Sequence, residues 1–532
     1  MRSTLLLAGF ATVLCSCESS SERPSGQDAA AGADVSSVRP DAGGSIPDAG
    51  GNTSPDSGTT TDSGTITNGD AGLADLPAMA PVDKPAVARG ATYRSFPERF
   101  NRYYTDPSYT PTTTLYVSPN GTGNGATKTT PTSVGSALAA AKPGTRVHFN
   151  SGTYSGCYEL GSENSGTYDL PVVLFGERGS DGSRAVTINC CTTGRQTCIN
   201  LEAADYVAVD GFEVAGGQYG IRAVGADYAA SQHQRGVGVL DVDGHDQNRD
   251  PFFTGASDWY VIERCLGHNA GSGDGHGIYL SNGSDWNIAR FNELWNNASS
   301  DFQINADPAS CCTDVGIDVE SSDCDALAGT PGDGGRGASD FMLVESNYFH
   351  HGLAQGANFT SARNSIVRDN IFAFYAKHGV SFWQETDNPR LGASKNFIAH
   401  NLFVATVANR QMLQFLVHSD GNVVENNVFV GDGTGCLAME VDDTVSTNVY
   451  THNAYYSATL DGRSPNATEL VATFDRTWFR AWPTSMSRDP TVFKPGASAP
   501  FLGKGALLPG VAIDREGARR TAPTDLGPYE RL

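Results

Sequence analysis

The chain has 532 residues, 61 of them glycine, with 39 % hydrophobic residues and a formal charge of −23. So much glycine argues for many turns and a β protein. The negative balance, with no basic stretch interleaved with aromatics, argues against nucleic acid as a partner.

The N-terminus reads MRSTLLLAGFATVLCSC, with a single Arg2 and an apolar run from Leu5 to Leu14. This is the shape of an export signal and is too short for a stop-transfer helix. Leu14-Cys15-Ser16-Cys17 resembles a bacterial lipobox. The resemblance implies that Cys17 carries lipid, becomes the first mature residue of a cell-envelope protein and anchors it to a membrane; plain secretion is the alternative. From Glu18 to about Gly90 the chain is Ser, Gly, Asp, Pro, Ala and Thr, with PDAGG at 40 and 47, PDSG at 55 and TDSG at 61. Such a segment buries too little apolar surface to offset the entropy of ordering, so a flexible acidic tether over 18–90 is expected, followed by one domain over 91–532.

The domain opens near Thr114. An alternating strand from Leu115 to Ser118 leads through Gly/Asn turns to Thr132 or Ser133 as N-cap. Val134, Leu138 and Ala141 then stand at helical spacing, Pro143-Gly144 stops the helix, and a strand from Arg146 to Phe149 follows. The wording YVSPNG, AKPGT and GTY resembles the N-terminal cap of right-handed parallel β-helix proteins, especially polysaccharide lyases of the pectate, alginate and chondroitin type. There a short helix closes the open end of the coil stack.

Nine cysteines follow Cys17. Cys190, Cys191 and Cys198 cluster, as do Cys311, Cys312 and Cys324, while Cys157, Cys265 and Cys436 stand apart. Neither cluster brings a histidine at zinc-ligand spacing, so disulfide staples are expected, with one thiol left over.

Asparagine followed shortly by apolar residues recurs at Asn292, Asn347, Asn370, Asn401 and Asn427. That period, in short strands and turns, marks a solenoid; one long interval holds an insertion at about 307–340. Ile288, Arg290 and Asn292 repeat as Ile366, Arg368 and Asn370. The Asn rhythm reads as scaffold, because Asn satisfies turn backbone that would otherwise be buried unpaired. A second strand per coil alternates in YGIRAVG, HGIYLSN, DFQINA, HGVSFWQ and CLAMEVD, predicting Ile278, Leu280, Phe302, Ile304, Val380 and Phe382 inside. Near the end, Asp514, Gly517, Arg520, Asp525, Leu526, Gly527, Tyr529 and Glu530 resemble the closing segment of exported β-helix proteins. The fold class expected is therefore all-β, a right-handed parallel β-helix with a short capping helix, and a monomer.

The outward residues of the second strands form columns suited to a repeating polymer. Their expected set includes Tyr279, Ser281, Asp301, Gln303, Asn305, Lys377, Ser381 and Trp383, of which Tyr279, Gln303, Asn305 and Trp383 are the candidate substrate-binding residues, since rings stack on sugar faces and polar groups bond hydroxyls. Resemblance to the lyases implies β-elimination on an acidic, uronate-bearing polysaccharide. A base removes the C5 proton, and calcium or basic groups neutralise the carboxylate. Lys377 is the candidate base, with His378 beside it, Arg363 approaching from the preceding coil, and His276 in the equivalent place of its own strand. Asp274 and Asp301 are the candidate calcium ligands, with Asp307 further along, although the calcium-dependent pectate lyases carry adjacent aspartates where this chain reads SSDF. A polygalacturonase-like hydrolase is one rival, supported by the Gly-His-Gly of GDGHGIYL but lacking a neighbouring Asp-Asp. A surface solenoid that binds glycan without cleaving it is the other.

Overall fold

The computed structural model describes residues 99–531, apart from 195, 272–273, 308–311, 314–315, 319–320, 322, 325–336, 387, 407–410 and 509–510. The export signal, Cys17, the 18–90 tether and Cys311 lie outside the described residues.

Among these residues the chain winds as a right-handed coil through three parallel sheets. Sheet A has twelve strands, from Thr113–Val117 to Val449–Thr451; sheet B has twelve, from Gly152–Gly156 to Leu470–Ala472; sheet C has eleven, from Tyr158–Leu160 to Thr459–Asp461. Each coil visits A, B and C in turn. The N-terminal end is closed by the helix Val134–Ala140, capped by Ser133 Oγ accepting from Ser136 N at 3.2 Å, with Val134, Ala137 and Leu138 buried. Spacing and cap chemistry both point to this helix, and Ser133 is the N-cap.

The coil interior is packed by like on like, because every coil presents the same positions one strand spacing, about 4.8 Å, apart. Phe349, Phe372, Phe403, Phe429 and Tyr455 stack with centroids 4.9, 5.2, 4.7 and 5.2 Å apart. Phe359, Phe382 and Phe415 form a second stack at 4.7 and 5.3 Å. All six residues expected to face inward do so.

At the turn between sheets A and B runs the asparagine ladder. The side-chain amide of Asn292 donates to Asn347 Oδ1 at 2.9 Å, Asn347 to Asn370 at 2.9 Å, Asn370 to Asn401 at 3.0 Å, Asn401 to Asn427 at 3.0 Å and Asn427 to Asn453 at 3.0 Å. The contact between Asn292 and Asn347 shows that the long interval is one coil carrying an insertion. Each Oδ1 also accepts a backbone N–H of the preceding coil; Asn370 Oδ1 takes that of Asn347 at 2.9 Å. Asn370→Ala would leave that buried N–H without a partner and remove the second donor, Asn370 Nδ2 at 2.8 Å, from the Val344 carbonyl. Denaturant unfolding should register a loss of about 2–3 kcal/mol, since each orphaned buried group costs about 1–3 kcal/mol; an unchanged midpoint would refute the scaffold role.

The arginines of the same rhythm are scaffold as well. Arg290 is 1 % exposed on the outer face of sheet A, where it joins Glu263 at 2.7 Å and Glu345 at 3.6 Å, while Arg368 joins Glu345 at 2.7 Å. The segment around the helix Arg102–Thr105 covers this ladder, Tyr104 donating its hydroxyl to Glu263 at 3.2 Å. The closing motif forms a clasp. Asp514 accepts from the backbone of Glu516, Ala518 and Glu530, Gly517 takes φ +85°, a left-handed turn that favours glycine, and Arg520 reaches Asp369 at 2.6 Å.

Three disulfides join Cys157 to Cys191, Cys190 to Cys198 and Cys312 to Cys324. Cys265 and Cys436 are free and buried, so among the described cysteines two thiols stay unpaired where one was expected.

Candidate functional site

Sheet C carries the outward columns. Register runs unbroken from Arg222 through Phe253, Tyr279, Gln303, Asn358 and Ser381 to Gln414. Two residues further along each strand a second column runs Ser281, Asn305, Thr360 and Trp383. The four expected substrate-binding residues therefore share one face, Tyr279 beside Gln303 in the first column and Asn305 two strands from Trp383 in the second. Tyr219, Phe253 and Tyr279 make a run of ring contacts at 5.3 Å each, with the Arg249 guanidinium 5.6 Å above the Tyr219 ring.

At the start of these strands sits a histidine with a buried carboxylate behind it. Asp250, 0 % exposed, accepts from His276 N at 2.9 Å and lies 3.1 Å from His276 Nδ1. A carboxylate can only accept, so Nδ1 donates to Asp250, which in the neutral imidazole leaves Nε2 as the accepting nitrogen. The His276 ring lies 4.8 Å from that of Tyr279. Burial, followed by the charges of Asp307 and Asp250, pushes the Tyr279 phenol well above its ordinary range and keeps it protonated. Arg249, next in sequence to Asp250, pairs with Asp274 at 2.7 Å.

The other expected catalytic residues are not gathered around one point. His378 occupies the His276 position three strands along, about 14 Å away at 4.8 Å per strand. Lys377 is exposed at the turn before Val380–Trp383, and among the described residues its ammonium has no ion-pair partner. Arg363 lies beyond the opposite end of the sheet C strands, in Ala362–Arg363, where it is 8 % exposed, donates to Asp340 at 2.7 and 3.2 Å and to the Arg390 carbonyl at 3.2 Å. At least one four-residue strand, about 13 Å, separates the Lys377 and Arg363 levels.

The aspartates do not make a calcium site. Asp301, expected on the outward face, is 0 % exposed, accepts from Asn297 Nδ2 at 2.7 Å and is pushed above the ordinary carboxylate range by burial. Asp274 is exposed and already paired with Arg249. Among the described residues no three His, Cys, Asp or Glu side chains converge as a metal site would need, so these residues do not fit calcium.

Three parts of the face had no signal in the sequence: Asp250, which acts one coil away from His276, Thr360 between Asn305 and Trp383, and Glu385. Asn305 Nδ2 donates to Glu385 Oε1 at 2.9 Å, Asp307 N to Asn305 Oδ1 at 2.8 Å, and Asn282 Nδ2 to Asp307 Oδ2 at 3.3 Å. The described parts of the 307–340 insertion, Cys312, Cys324 and Ala338, pack against Leu391 in the loop that follows Trp383.

No family model matches the chain and no curated protein matches it. Among solved structures it is similar to pectate lyase Pel9A, at 14 % identity and TM-score 0.51 over 80 % of this chain and 98 % of that one. It is also similar to an alginate lyase from a Paenibacillus species, at 14 % identity and TM-score 0.43 over 63 % and 99 %. A rhamnogalacturonan lyase matches at 12 % identity and TM-score 0.45 over 72 % and 95 %. At such identities the likeness is one of fold, in agreement with the three parallel sheets, the capping helix and the asparagine ladder: the chain is a right-handed parallel β-helix protein.

Proposed function

We propose that the protein cleaves an acidic polysaccharide by β-elimination on the outer face of sheet C, with His276 as the base. The observation that carries this reading is the His276 and Asp250 pair, set beside Tyr279 in a continuous column of polar and aromatic side chains. His276 Nε2 takes the C5 proton of a uronate; the electron pair forms the C4–C5 double bond as the C4–O bond breaks; the leaving oxygen takes the Tyr279 hydroxyl proton. Arg249, one coil back and paired with Asp274 at 2.7 Å, is the cation that would share its charge with the uronate carboxylate as charge develops. The fold shared with Pel9A is compatible with this chemistry, and the three disulfides support an exported, oxidising location. Anchoring through Cys17 belongs to the same reading.

The test incubates the domain from about residue 90 onward with pectate, alginate, chondroitin and related polymers, following the ultraviolet absorbance of unsaturated uronate and, in parallel, new reducing ends. Absorbance that is lost in His276→Ala and kept in Lys377→Ala is the expected result. Loss in Lys377→Ala alone would move the base to Lys377. Reducing ends without absorbance would make the protein a hydrolase, and silence in both, with polymer still bound, a glycan-binding solenoid.

A further inference from the structure

We infer that His350 and His351 form an acid-sensitive latch beneath the C-terminal cover of sheet B: with at least one ring neutral the pair holds segment 482–493 in place, and when both rings gain a proton the segment is released.

Segment 474–502 lies over the outer face of sheet B, where Phe479, Phe493 and Phe501 pack against Ile371, Leu402, Val428 and Tyr456. Its edge is held at three points, and each rests on the histidine pair or on a partner of it. Arg488 donates to both carboxylate oxygens of Glu293 at 2.8 Å and lies 4.1 Å over the Trp295 ring. Tyr348, whose ring stacks on that of His350 at 4.1 Å, donates its hydroxyl to the Ser487 carbonyl at 2.8 Å. Phe374, 5.0 Å from the His351 ring, supports Trp482 and Phe493 at 6.2 Å each.

The hydrogen bonds of the pair leave room for one proton between the rings. His350 Nε2 lies 3.2 Å from Glu293 Oε1, and a carboxylate can only accept, so Nε2 carries a hydrogen. His350 Nδ1 lies 3.0 Å from His351 Nδ1, a contact in which one nitrogen donates and the other accepts. Two imidazoliums would set N–H against N–H and charge against charge, with His350 0 % exposed and shut off from water. The charged groups packed around the pair are Glu293 from the preceding strand, Arg488 and Asp489 from the cover and Arg515 from the closing motif, with Asp243 beyond Arg488. Glu293 already serves Arg488, and Asp489 caps the next turn by accepting from Thr491 N at 2.9 Å. Burial lowers the pKa of both rings, and burial followed by the charge of His350 takes His351 down to about 4. The fold thus favours the neutral rings; the stability they contribute is complete above the ordinary imidazole value of 6.5 and is lost as pH falls from there towards about 4.

Amide exchange of the full chain, followed by mass spectrometry at pH 7.5 and 4.5 with times scaled for the intrinsic rate, tests this. In the wild type, segment 482–493 is expected to lose protection by about tenfold or more in acid, while the sheet C strands Ile278–Ser281 and Phe302–Asn305 keep theirs. In His351→Asn, whose amide donates without titrating, the loss should shrink to less than about twofold. His350→Gln supplies a second pair with only one titrating ring, and melts at pH 7.5 establish which variants fold. Equal protection of wild-type 482–493 at both pH values would overturn the latch. So would an acid loss that is as large in a folded variant, or one that spreads at once through the sheet C strands. Should neither variant fold, the wild-type midpoint decides: a value between pH 6.5 and about 4 upholds the latch and one outside that window overturns it.

Discussion

Arg290→Met is expected to destabilise the protein by about 3–5 kcal/mol, the usual cost of removing one partner from a buried ion pair. Arg290 is 1 % exposed, donates from Nε to Glu263 Oε2 at 2.7 Å and lies 5.8 Å below the Tyr104 ring. Glu263 is itself 0 % exposed. With Arg290 gone it keeps the Tyr104 hydroxyl and Arg264, whose side chain reaches solvent and screens poorly from there. Glu345 fares better, because Arg368 holds it at 2.7 Å from the next coil. The loss should therefore trace to Glu263, and the double variant Arg290→Met with Glu263→Gln should recover most of it, giving a large coupling in a double-mutant cycle. Urea unfolding of the four proteins measures this. Additive effects in that cycle would show that the ladder is ornamental and that the N-terminal cover holds sheet A by apolar packing alone.

That ladder illustrates what a solenoid sequence makes legible. Positions one coil apart touch, so a residue type needed at one turn tends to be needed at the next, and the need surfaces as a period. Asn292, Asn347, Asn370 and Asn401 display it, as do Phe349, Phe372 and Phe403 and the alternation in Ile278 to Ser281. The capping helix was readable for a different reason, since its Ser133 cap and Pro143-Gly144 stop are local signals. The site was far less readable. Asp250 bonds His276 across 26 residues, and nothing in either neighbourhood announces the pairing. Asp301 stands directly before the inward Phe302, where strand alternation would turn it outward, yet the turn that leads into sheet C rotates it into the protein, against Asn297. Lys377 and Arg363 look close when coils are compared by sequence number, but they flank opposite ends of the strands. Periodicity reports which coil a residue belongs to and which way a strand residue faces; it carries no information on how the irregular turns fold, and the turns hold the proposed base here.

The second large effect is expected at those turns. His276→Ala should lower kcat/KM for elimination by about 10²–10⁴, the range supplied by a positioned general base. Asp250→Asn separates positioning from mere structure. The amide keeps the size of the carboxyl, and its oxygen still accepts from His276 N and Nδ1, bonds now 2.9 and 3.1 Å long. What disappears is the negative charge behind the ring, which stabilises the imidazolium formed when Nε2 takes the C5 proton. Since Asp250 is fully buried it cannot touch the polymer. The variant should thus lose kcat with little change in KM, a pattern that marks an interaction made in the transition state and not in the bound ground state. A raised KM at constant kcat would assign Asp250 to holding the shape of the groove. An unchanged kcat and KM, with a normal melting curve, would remove the pair from the mechanism and leave Lys377 and His378, three strands further along the same edge, as the place to look for the base.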